Sequence, residues 1–134
     1  MSLDKQVLGA YNRKPITVND NELQSYSMFR DFFLGFIRIH ILYHALKEPI
    51  YGLDFLQELN RHGYQISPGT LYPIFHKLER EGYLVAEKRV VAGKVRKYYR
   101  ATQKGEFALR EAVEKARQLW DEIRDLEYDK GSLT

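Results

Sequence analysis

The sequence predicts a mainly α fold with one small β-hairpin, and two observations carry that expectation. Apolar residues recur three and four apart along most of the chain. The period gives way to β-branched, aromatic and alternating charged residues only between Tyr83 and Thr102. A length of 134 residues makes one compact unit with room for an added arm or helix. With 44% hydrophobic and 13% aromatic residues, the chain buries roughly two thirds of its unfolded surface and needs neither metal nor disulfide for its core.

Taken in order, Leu3, Val7, Leu8 and Tyr11 suit a short helix that Pro15 stops. The polar stretch Ile16 to Ser27 reads as a connector, so residues 1–27 form an N-terminal arm or short helix. From Met28 to Lys47, Phe29, Phe32, Phe33, Phe36, Ile37, Ile41, Leu42 and Leu46 make a stripe that Leu34 and Ile39 widen, which is the pattern of a central core helix. Pro49 ends it. A second helix is expected over Tyr51 to His62, with Phe55, Leu56 and Leu59 inward and Gly63 just past its end.

A third helix opens at Ser67-Pro68, where a serine can cap free N–H groups and a proline at the first helical position loses no needed donor. Leu71, Ile74, Phe75 and Leu78 fall on one face. Gly69, Pro73, His76 and Arg80 point the opposite way, flanked by Thr70, Tyr72 and Lys77. Pro73 leaves two readings, in which either Thr70 is the true cap or the helix bends. Gly82 closes this helix. Leu84 to Val91 and Val95 to Ala101 then read as strands joined at Ala92-Gly93. Thr102 can cap a last helix from Gln103 to about Glu127, in which Leu109, Val113, Ala116, Trp120 and Ile123 form one seam and Ala112, Leu119 and Leu126 a second. So wide an apolar arc at a chain end calls for a second copy of the chain.

Charge is distributed unevenly. Residues 1–66 carry 7 basic and 7 acidic groups, residues 67–100 carry 8 and 3, and residues 101–134 carry 6 and 8, giving net charges of 0, +5 and −2. The excess falls on the hairpin, where Lys88, Arg89, Lys94, Arg96, Lys97 and Arg100 face only Glu87. Such a ribbon repels itself unless it meets a polyanion or open solvent. Beside it, a helix that is slim and basic near its start suits DNA, since small residues admit the phosphate backbone to free N–H groups.

Other chemistries find little footing. Without cysteine there is no thiol nucleophile, redox pair or Cys-ligated zinc. No Gly-rich phosphate loop, serine nucleophile motif or catalytic carboxylate pair is present, so the chain reads as a non-enzyme without cofactor. His40, His44 and Glu48 share a helix face, but with no further ligands nearby they read as core or interface residues and not as a metal site. Phe29 to Leu46 is too interrupted by charge to span a membrane, and Met1 to Ala10 lacks the pattern of a secretory signal, so a cytoplasmic location is expected.

Three helices followed by a basic hairpin is the order of a winged helix-turn-helix, here residues 28–102, followed by a C-terminal dimerisation helix and tail at 103–134. The residues also resemble the PadR-like transcriptional regulators. The resemblance rests on Glu48-Pro49-Ile50-Tyr51-Gly52, Ser67-Pro68-Gly69-Thr70-Leu71-Tyr72-Pro73, His76-Lys77-Leu78-Glu79-Arg80-Glu81-Gly82, Arg96-Lys97-Tyr98-Tyr99-Arg100 and Thr102-Gln103-Lys104-Gly105. It covers roughly residues 30 to 110. The stretch before residue 28 is longer than in many members, and the C-terminal segment is one helix, as in a shorter subgroup.

This resemblance implies a homodimeric, sequence-specific DNA-binding regulator, usually a repressor, on a two-fold symmetric operator. Its DNA contacts would be Ser67, Gly69, Thr70, Tyr72, Pro73, His76 and Lys77 on the helix in the major groove, and Lys94, Arg96 and Lys97 on the wing. Tyr72 has two readings, a phosphate contact or packing under the wing. Tyr98 and Tyr99 are neighbours on a strand and face opposite sides, which suits structural roles. Trp120 either packs in the dimer seam or stacks on a small planar effector held there. The alternative function is a winged-helix module whose basic ribbon binds an acidic protein.

Overall fold

The computed structural model describes residues 27–128. The expected Leu3–Tyr11 helix, residues 12–26 of the arm and the tail beyond residue 128 lie outside the described residues. Helix α1 spans Ser27–Lys47, strand β1 Ile50–Tyr51, α2 Gly52–Arg61 and α3 Pro68–Arg80; strands β2 and β3 span Leu84–Val91 and Lys94–Ala101, followed by α4 over Gln103–Ile123 and the single turn α5 over Asp125–Tyr128. The strands form an antiparallel sheet in the order β1-β3-β2.

One expectation changes at the start of α2. Tyr51 belongs to a strand and not to the helix, with φ −98° and ψ 125°, and it pairs with Tyr98 while Ile50 pairs with Tyr99. An aromatic and a β-branched residue directly after Pro49 find a free edge on β3, a partner some 48 residues away that no local period reveals. Smaller shifts occur elsewhere. β3 begins at Lys94, and the last helix is interrupted at Arg124.

The core gathers around α1. Phe33, Leu34, Ile37, Ile41, Leu42 and Ala45 are buried against Phe55 and Leu59 of α2, Leu71, Ile74, Phe75 and Leu78 of α3, Leu84, Tyr99 and Leu109. Burying each large apolar side chain contributes roughly 1.5–3 kcal/mol relative to leaving it in water. The expected α1 stripe is broader than this core can cover: Phe29, Phe32 and Leu46 are exposed.

α3 is tied to the sheet by rings. Phe75 packs on Tyr99 with centroids 4.8 Å apart and meets Phe55 edge-on at 5.9 Å. At the α2–α3 turn, Gly63 adopts φ +93° just past the helix end, and Asn60 Oδ1 accepts the Ile66 N–H at 3.1 Å. Thr102 caps α4, its Oγ1 accepting the Gly105 N–H at 3.0 Å.

Candidate nucleic-acid interface

The N-terminus of α3 is built as the Ser-Pro pair leads one to expect. Ser67 Oγ accepts the Thr70 N–H at 3.2 Å and lies 3.1 Å from Thr70 Oγ1, with Pro68 in the first turn. That turn contains no acidic residue, so no carboxylate of its own offsets the positive end of the helix dipole. Ser67 caps and Thr70 does not. The helix runs unbroken through Pro73, which stands six residues into it and contributes no N–H.

Gly69, Pro73, His76, Lys77 and Arg80 are exposed, while Ser67, Thr70 and Tyr72 are half-buried beside them. A Cβ on Gly69 would meet only Ser67 Oγ at 3.8 Å, so nothing inside the protein requires glycine there. The bare backbone instead offers close approach from outside. Tyr72 packs inward in part: a Cβ on Gly52 would come within 2.9 Å of its ring. Burial, then the neighbouring Tyr51 and Tyr99, push the Tyr72 hydroxyl above its usual range, which keeps it a hydrogen-bond donor.

The wing turns at Ala92 (φ +52°) and Gly93 (φ +78°), the two left-handed residues of a tight hairpin. A two-residue tip fixes the register, so Lys88 lies opposite Lys97, Arg89 opposite Arg96 and Val91 opposite Lys94. Side chains alternate, and the three expected wing contacts therefore divide. Lys97 shares the face of the buried Tyr99 and turns to α3, whereas Lys94 and Arg96 lie on the far face.

On the α3 side, Lys97 Nζ donates to Glu79 Oε1 at 2.9 Å and stands 5.2 Å from the centre of the Tyr99 ring. The bond it donates to Glu79 holds the Lys97 ammonium above its ordinary range, with partial burial acting the other way. On the far face, Arg96 lies over the Tyr51 ring and Arg89 over Tyr98, each at 4.8 Å, with the two rings 5.6 Å apart; Arg89 also pairs with Glu87. Tyr98 and Tyr99 thus have packing roles on opposite faces. Lys88 and Arg89, two hairpin cations outside the expected contacts, lie opposite Lys97 and Arg96, as the two-residue tip dictates.

The seam residues of α4 also divide. Leu109 is buried in the core and lines a cleft of about 320 Å³ together with Val113, Ala116 and His40. Ala116, Trp120 and Ile123 line a larger cleft of about 740 Å³ between α4 and α1, opposite Phe32 and Phe36. Val113, Trp120 and Ile123 are exposed. His40 and His44 are buried with their rings parallel at 6.4 Å, packed against Tyr64 and Phe55. Among the described residues no cluster of three or more His, Asp or Glu could hold a metal, and no helix is long and apolar enough to cross a membrane.

Residues 41–111 match the model of the Transcriptional regulator PadR-like family. Transcriptional regulator Rv3488 of Mycobacterium tuberculosis is 52% identical over 82 residues, covering 61% of this chain and 77% of that protein. Among solved structures, a PadR family transcriptional regulator from Eggerthella lenta superposes with a TM-score of 0.64 at 35% identity, covering 76% of this chain and 90% of the other. A PadR-like transcriptional regulator from Bacillus cereus gives 0.65 at 28% identity, covering 72% and 95%.

Proposed function

This chain belongs to the PadR-like family of transcriptional regulators, which act by binding DNA, and from that premise we propose that it is a cytoplasmic repressor that binds a two-fold symmetric operator as a homodimer. The observation that carries the reading is the outer face of α3. Its capped N-terminus has no acidic residue in the first turn, and Gly69, Pro73, His76 and Lys77 stand exposed around it. Ser67, Gly69, Thr70, Tyr72, Pro73, His76 and Lys77 would meet the major groove, and Lys94, Arg96 and Lys97 the flanking backbone. The exposed Val113, Leu119, Trp120 and Ile123 of α4 support burial against a second copy, which would place two α3 helices about one turn of duplex apart. A dimer seated on its operator excludes other proteins from that stretch of DNA, hence repression. The apolar cleft beside Trp120 supports a planar effector, which can release DNA only if it binds the unseated geometry more tightly.

The test is selection of duplexes from a random pool, followed by affinity across a salt series. An inverted repeat with a steep negative salt slope is expected. Absence of enrichment, with weak binding at physiological salt, would hand the basic wing to an acidic protein partner instead.

A further inference from the structure

The face of the wing turned to α3 holds an arrangement that basic charge alone does not explain. Lys97, on the α3 side of the ribbon, has its ammonium engaged by Glu79 at 2.9 Å. Lys88 is its register partner on the same face, so two cations of the ribbon share the side that meets the Glu79 carboxylate. The pair is open to solvent, with 41% of the Lys97 side chain and 32% of Glu79 exposed. The Lys97 ammonium, a cation that the DNA-binding reading sets on a backbone phosphate, is thus already paired with an internal carboxylate.

We infer that Glu79 is an internal stand-in for a DNA phosphate. In the free protein it holds Lys97, and on binding a backbone phosphate takes its place on Lys97, with Lys88 as a second cation for the same strand. The inference rests on the DNA-binding reading above. Three physical points support it. Guanidinium or ammonium pairs with one carboxylate at a surface are weak enough to be exchanged. Lys88 and Lys97 repel each other across the ribbon, and one Glu79 carboxylate offsets only half of that charge. A phosphate brings more negative charge and more acceptor oxygens to both cations than Glu79 does. Glu79 therefore lowers affinity for any duplex, because each encounter must first displace it. It also keeps Lys97 extended towards α3, so the cation is in place when phosphate arrives.

The experiment measures the wild type, Glu79→Gln, Lys97→Ala, Lys88→Ala and the double variant Glu79→Gln/Lys97→Ala on a random duplex across a salt series, with the melting midpoint of each checked first. Glu79→Gln is expected to tighten binding about two- to tenfold without changing the salt slope, since Lys97 reaches phosphate in both proteins. Lys97→Ala should lower the slope by about 1 in either background, and Lys88→Ala should do the same. If Lys97→Ala changes the slope only when Glu79 is already Gln, Glu79 never lets go and the exchange is wrong. Weaker binding by a well-folded Glu79→Gln protein would make the residue a strut and also overturn the proposal. If the wild type shows no salt-dependent duplex binding, the DNA-binding reading falls and takes this inference with it; a binding wild type with unchanged Glu79→Gln affinity defeats the inference alone.

Discussion

Lys104 Nζ donates to the main-chain oxygen of Glu81 at 2.7 Å, so a side chain of α4 closes the C-terminal end of α3. The same ammonium lies 4.5 Å from the centre of the Tyr83 ring, and Thr102 Oγ1 donates to the Gly82 oxygen at 2.6 Å. A cation at this end of a helix meets the negative pole of its dipole. The helix proposed to enter the groove and the helix proposed to form the dimer therefore share one joint.

Replacing Lys104 with Met should lower stability by about 1 kcal/mol, seen as a melting midpoint lower by roughly 3–5 °C. The aliphatic stem is kept, so packing over Tyr83 survives while the bond to Glu81 is lost. An unchanged midpoint would show that the contact does not contribute in solution.

Two glycines should respond in opposite directions to alanine. A Cβ on Gly105 would lie 2.2 Å from the Tyr83 carbonyl oxygen, a main-chain atom that cannot step aside without moving the joint. Gly105→Ala should cost more than about 3 kcal/mol. Gly35, inside α1, has nothing within 4 Å of its missing Cβ, so Gly35→Ala should stabilise by about 0.5–1 kcal/mol through helix propensity. Denaturant midpoints of the two variants measure both, and a shift of the same sign would break the argument.

What the sequence revealed depended on whether the cause was local. Ser67-Pro68 opens α3 and Ala92-Gly93 turns the wing because capping and left-handed backbone are properties of adjacent residues. Tyr51 was misplaced because its strand exists only through β3. The joint of Lys104 with Glu81 and the pairing of Lys97 with Glu79 span 23 and 18 residues, and nothing in either segment alone announces its partner. The division of wing cations between two faces was legible from alternation, but the resemblance that implied Lys94, Arg96 and Lys97 does not distinguish the faces.

Affinity and preference should separate between wing and helix. Lys94→Ala should weaken binding to all duplexes alike and lower the salt slope by about 1, whereas His76→Ala should change which base pairs are preferred in a repeated selection. Equal effects of both variants on random DNA would refute that division.

Acid should act through His40. The ring is 6% exposed, stacked on His44 and edge-on to Tyr64, and burial lowers its pKa below the usual 6.5. Below pH 6.5 the unfolded chain takes up a proton that the folded protein still refuses, so stability falls with pH until the folded pKa is passed. His40→Leu should flatten that slope in denaturant titrations between pH 7 and about 5. A slope as steep in the variant would place its origin in other groups.

Pro73 has a consequence on the opposite side of α3 from the core. With no N–H at position 73, the carbonyl oxygen of Gly69 loses its partner four residues on, and Gly69 is exposed at the end of the helix that carries the Ser67 cap. The first turns of α3 are thus held by the Ser67 cap and the buried face and not by a full ladder of main-chain bonds.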